Sequence, residues 1–155
     1  MVKDINPGSS SSSLNSLTDV NGTLFFRASD GSTGYELWKS DGTQAGTSLV
    51  KDIWPISSSS FPNNFIAVNG TLFFTANDGL TGTELWKSDG TQAGTVLAKE
   101  IYFGKRAGMN DFYFDYQMSI MPNSSSPSIL TSYKGMLVFR ASDPEGQELW
   151  KYDPN

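Results

Sequence analysis

The side chains able to do chemistry in this chain are carboxylates and aromatic rings, because the sequence holds no histidine and no cysteine. That removes imidazole acid–base catalysis, thiolate chemistry, disulfides and nearly every zinc or copper site. The carboxylates recur in fixed phrases. Glu36, Glu84 and Glu148 each open a Glu-Leu-Trp, and Asp41 and Asp89 sit in Ser-Asp-Gly-Thr. Paired acids can hydrolyse glycosides, but the two must have different environments and a defined separation. Acids repeated in equivalent surroundings offer no such asymmetry, so no catalytic residue is expected. Asp41 and Asp89 are expected to hydrogen-bond the backbone of their own turns. Calcium is the alternative, although it takes about six to eight oxygens and one carboxylate per turn is a thin supply. The three glutamates are expected to pair with neighbouring Lys or Thr groups across strands. Trp38, Trp86 and Trp150 occupy one repeated position, which predicts packing between units. Exposed, they would instead form a row of stacking platforms for sugars.

The segments that differ between units are the better candidates for binding. They include serine-rich stretches at Ser9–Ser13, Ser57–Ser60 and Ser124–Ser126. Acidic loops lie at Asp30-Gly31, Asp78-Gly79 and Asp143-Pro144-Glu145-Gly146. An insertion at about 102–121 carries Tyr102, Phe103, Lys105, Arg106, Met109, Phe112, Tyr113, Phe114 and Tyr116. Such aromatic density is too apolar to be left in water. It can plug its own domain, contact a neighbouring subunit or stack on a ligand. Together with Trp54 it forms the expected ligand or subunit contact. Asn21-Gly-Thr and Asn69-Gly-Thr match a glycosylation pattern, but their sequence is explained by turn geometry.

These residues are positioned by a repeat. The phrase from Glu36 to Thr47 returns unchanged from Glu84 to Thr95, an offset of 48 residues, and a shortened copy begins at Glu148, 64 residues further on. Upstream, Val20-Asn21-Gly22-Thr23-Leu24-Phe25-Phe26 returns at Val68 and, loosely, at Tyr133. Val2-Lys3-Asp4-Ile5 returns at Val50 and as Ala98-Lys99-Glu100-Ile101. Asn-Gly supplies the positive φ angles of a type I′ hairpin, and the apolar runs are β-branched and aromatic with no helical period. Each unit therefore reads as four antiparallel strands, the fourth being Leu49 to Ile53 in the first unit. The fold class is all-β, a single repeat domain over 1–155 built of propeller blades. The blades are expected at about 14–53, about 62–101 and about 127–153.

The phrases Glu-Leu-Trp-Lys-Ser-Asp-Gly-Thr, Val-Asn-Gly-Thr-Leu-Phe-Phe and Val-Lys-Asp-Ile resemble the ELWxxDGT-repeat proteins. The resemblance covers the chain apart from the insertion. It implies a bacterial protein, a β-propeller architecture and an extracellular or cell-surface location, and it transfers no activity and no catalytic residues.

Three blades are too few to close a ring, since propellers hold about four to eight. Met1 leads directly into Val2, Lys3, Asp4 and Ile5, read as strand rather than signal peptide. This strand is expected to complete the third blade, in the same chain or another. The expected partner is a second copy, giving a dimeric six-bladed ring or, where rotation fails to close, a filament. A piece of a longer propeller and an open stack are the alternatives. The expected function is a non-enzymatic structural module that self-assembles. A lectin-like propeller binding a glycan or surface protein is the second reading, and a glycoside hydrolase-like propeller the third. The net charge of −5 argues against a nucleic-acid partner, and no apolar run approaches the roughly 20 residues that would insert in a membrane.

Overall fold

The computed structural model describes residues 1–99 and 124–154. Within them the chain is all-β, with no helix, and forms three antiparallel sheets. The first contains β1 (Asn15–Val20), β2 (Thr23–Ser29), β3 (Tyr35–Ser40) and β4 (Ser48–Lys51), side by side in chain order. The second repeats this with β5 (Asn63–Val68), β6 (Thr71–Asn77), β7 (Thr83–Ser88) and β8 (Val96–Lys99). The third has β9 (Ser128–Tyr133), β10 (Met136–Asp143) and β11 (Gly146–Tyr152).

Local chemistry accounts for the hairpins. Asn21 and Gly22 have φ of 53° and 83°, and Asn69 and Gly70 have 49° and 77°, the left-handed pair that a two-residue turn requires. Lys134 takes the same place before Gly135 at φ 49°. A second repeated irregularity lies in the first strand of each sheet. Ser16, Asn64 and Ile129 all have positive φ, and the register to the next strand slips there. Each first strand is therefore bulged at one place, which bends it and increases its twist.

The core lies between sheets. Successive residues of a strand point to opposite faces, so the adjacent pairs Phe25-Phe26 and Phe73-Phe74 send one ring each way, and all four are buried. One cluster joins Val20, Phe25, Leu37 and Val50 of the first sheet to Leu72, Phe74, Ala76 and Trp86 of the second. The next joins Val68, Phe73 and Leu85 of the second sheet to Leu137, Phe139 and Ala141 of the third. Along the first strands β1 lies beside β5, and β5 beside β9. Asn69 Nδ2 donates to the carbonyl of Gly135 at 2.9 Å, linking two of the hairpin turns.

Within the single chain residues 1–5 belong to no sheet, so the strand expected to complete the third blade does not form in the same chain. Instead Lys3 Nζ donates to the Thr47 carbonyl at 2.7 Å, and Ile5 packs with Phe26, Ala28 and Trp38. The fourth strand of the first sheet ends at Lys51 rather than Ile53, since the Ile53 amide is drawn out of the ladder by a side chain.

The connection after β4 carries Trp54, whose ring lies over Gly79. A Cβ built on Gly79 would stand 2.5 Å from that ring, at a φ of +81°, whereas one on Gly42, at φ +89°, would meet open space. Gly42→Ala should therefore cost only the left-handed strain of about 1–2 kcal/mol. Gly79→Ala should cost a further 1–3 kcal/mol, roughly, from overpacking. Urea unfolding of both variants measures the difference, and equal losses would show that Trp54 is not seated there.

Candidate functional site

The polar groups that organise the molecule are the glutamates of the third strands. Glu36 on β3 and Glu84 on β7 are fully buried. A buried carboxylate is tolerated only when its lone pairs are met by donors. The donors come from the connection leading into the following sheet. Glu36 Oε1 accepts from the Ser60 amide at 2.8 Å, while Oε2 accepts from Ser60 Oγ at 2.6 Å and the Ile53 amide at 3.0 Å. Glu84 repeats the arrangement, accepting from the Ser125 amide at 2.8 Å and from Ser125 Oγ at 2.5 Å. Each serine is fastened on its other side as well. The Ser60 carbonyl accepts from the Asn77 amide, and the Ser125 carbonyl from the Ser142 amide. A single serine thus rivets the carboxylate of one sheet to the second strand of the next.

Neighbouring bonds reinforce the joint. The Tyr35 amide donates to Ser59 Oγ at 3.0 Å, and the Phe61 amide donates to the Tyr35 carbonyl at 3.2 Å. At the next joint the Thr83 amide donates to Ser124 Oγ, and the Ser126 amide to the Thr83 carbonyl. This corrects two expectations. Glu36 and Glu84 bond serine and backbone donors of the connecting segment, where Lys or Thr partners across the strands were expected, because their side chains reach past the sheet edge. The serines at 60 and 125 are not a free loop surface, since both are buried. Sequence reasoning missed them. The available signal was that a Ser-Ser pair recurs upstream of every first strand at one distance from it.

Burial pushes the Glu36 carboxyl up to about 7, against the lowering effect of its donors, and the nearby charge of Asp52 adds to the rise. The Ser60 hydroxyl can reverse its role and accept from a protonated Glu36, so the contact survives in both states.

Asp41 and Asp89 do what the turn chemistry predicted. Asp41 Oδ1 accepts from Thr43 Oγ1 at 2.7 Å and from the Thr43 amide at 2.9 Å, and Asp89 meets Thr91 in the same way. These bonds, the hydroxyl's first, hold both carboxyls below their ordinary value. Ser40 Oγ and Thr47 Oγ1 stand 2.7 Å apart, and Ser88 Oγ and Thr95 Oγ1 repeat the contact at the same distance. Among the described residues no three acidic side chains converge as a metal site would need.

Trp38 and Trp86 are only 6% exposed, so neither offers an open face to a sugar. Trp86 packs between the first and second sheets, whereas Trp38 packs with Ile5, Phe26 and Ala28 on the far face of the first sheet. Lys51 Nζ lies 5.7 Å above the Trp86 ring, and Lys99 Nζ lies 4.8 Å above that of Trp150. In each case the lysine comes from the preceding sheet. Tyr102, Phe103, Lys105, Arg106, Met109, Phe112, Tyr113, Phe114 and Tyr116 lie outside the described residues. No protein-family model matches the chain, and comparisons with curated proteins and with solved structures find no match either.

The raised carboxyl has a definite pH consequence. Its proton is bound more tightly in the folded chain, so the stability it contributes is complete below pH 4.5 and lost as pH rises through about 7. Glu36→Gln should flatten the change in melting temperature across that window. It should also destabilise the chain by about 1–3 kcal/mol, because an amide NH2 then faces backbone donors. An unchanged pH slope in the variant would show that Glu36 does not titrate there.

Proposed function

We propose that this chain is a structural, non-enzymatic module that self-assembles head to tail, each unit acting as a propeller blade. The observation that carries this reading is a contrast between equivalent positions. Leu37 and Leu85 are both 0% exposed beneath the following sheet, whereas Leu149 of the third sheet is 79% exposed. Val20 and Val68 are 7% and 1% exposed, and Tyr133 at the same place is 54% exposed. With Ile129, Val138, Thr131 and Arg140, Leu149 and Tyr133 line a depression across the outer face of the third sheet. It is the face that the first and second sheets each bury against a successor.

The opposite end offers the complement. Leu17, at the position where Phe65 packs against Phe74, is largely exposed on the first sheet. The two ends are different surfaces, so their union is heterologous, and repetition of it gives a ring or a filament according to the rotation. Residues 1–5 and the free edge of β11 lie at these two ends and would be brought together by the same union. Covering Leu149 is favourable by about 1.5–3 kcal/mol, and covering Tyr133 adds to it. The resemblance to ELWxxDGT repeats supports a place outside the cell or at its surface, where an assembling module would serve as scaffold or coat.

Light scattering at rising micromolar concentrations should find species heavier than one chain. Leu149→Asp should leave a folded single chain with an unchanged melting temperature, since the residue is already in water. A wild-type chain that stays single throughout would sink this reading.

A further inference from the structure

The rivet that joins sheet to sheet occurs twice inside the chain, and its two halves are present once more, apart. Glu148 stands on β11 where Glu36 stands on β3 and Glu84 on β7, but it is exposed and none of the described residues donates to it. The other half is at the opposite end. Ser12 precedes the first sheet as Ser60 precedes the second and Ser125 the third. Its carbonyl accepts from the Ser29 amide at 3.0 Å, the counterpart of the Asn77 and Ser142 bonds. Ser12 is therefore already seated on the first sheet. Its amide and hydroxyl, which at Ser60 and Ser125 go to a glutamate, have no partner among the described residues. Ile5 occupies the position of Ile53, and its amide is likewise unpartnered among them.

We infer that Glu148 of one copy is received by the Ser12 amide, the Ser12 hydroxyl and the Ile5 amide of a second copy. This inference rests on the self-assembly proposed above and names the contact that sets its register. Three donors converge on one carboxylate, as at Glu36. The same equivalence brings the Gln147 amide to Ser11 Oγ, as Tyr35 meets Ser59, and Lys151 to the carbonyl of Gly42, as Lys39 Nζ meets Gly90 at 2.8 Å. The occupant is a second copy because the complementary group is carried by this chain and is held in the receiving conformation. Three sheets cannot bend far enough for the chain to receive its own Glu148, given that closed propellers need about four or more blades. The apolar face around Leu149 supplies the favourable area. The carboxylate supplies direction, since a misaligned docking would bury it without donors.

Two variants break one half each. Glu148→Ala removes the carboxylate, and Ser12→Asp sets a second negative charge where the hydroxyl should be. Neither side chain is used within the single chain, so both variants should melt like the wild type. Each alone should self-associate at least tenfold more weakly. Mixed in equal amounts, they should form a discrete 1:1 dimer, because Ser12→Asp still carries Glu148 and Glu148→Ala still carries Ser12. If the wild type assembles and both variants assemble equally well, the latch is wrong and the self-assembly reading stands. If the wild type itself never exceeds one chain, both fall together. Weakened variants that give no 1:1 species on mixing would overturn the head-to-tail contact.

Discussion

The architecture turns on a carboxylate removed from water. Burying Glu36 and Glu84 is costly unless donors meet them, and the strands that carry them have no donors to spare. The donors are borrowed from the segment that begins the following sheet. Each sheet can therefore complete its own polar accounting only by fixing the entry of its successor. The bond at the Ser60 carbonyl then carries that constraint into β6. A chain built this way has its register set by hydrogen bonding, while its cohesion comes from aromatic and aliphatic area.

The division of labour suits the composition. Only 37% of the residues are hydrophobic, yet 13% are aromatic. The second strands spend their rings on both faces, so that Phe73 and Phe74 serve two sheet interfaces, while Phe25 faces the second sheet and Phe26 packs with Ile5 and Trp38. Two of the three core clusters lie between sheets, and the third is closed over the first sheet by Ile5. Burial is shared between neighbours, and each sheet is stabilised only as part of the stack. That is why equivalent leucines differ so widely in exposure, depending only on whether a successor is present. The lysines of the fourth strands follow the same logic, since each covers a tryptophan belonging to the next sheet.

Much of this was legible from the residues. The offset of 48 showed repeated units, and Asn-Gly named the hairpins because a left-handed pair of residues is needed wherever two strands turn in two residues. The roles of Asp41 and Asp89 were also readable, since an aspartate bonding two residues ahead is a purely local event. The glutamates were not. Glu36 and Ser60 are separated by 24 residues, and the serine lies in a run of four that looks like a solvated linker. Only its distance from the following first strand, shared with Ser12 and Ser125, distinguishes Ser60 from Ser57.

The sequence by itself determined the number of units, their hairpins and the identity of the packing rings, because these follow from short-range periodicity and turn sterics. Only the tertiary structure decided which serine receives each carboxylate and that residues 1–5 lie against the first sheet without pairing. The reason is that a buried charge and an unpaired strand both take their partners from whatever the fold brings alongside them.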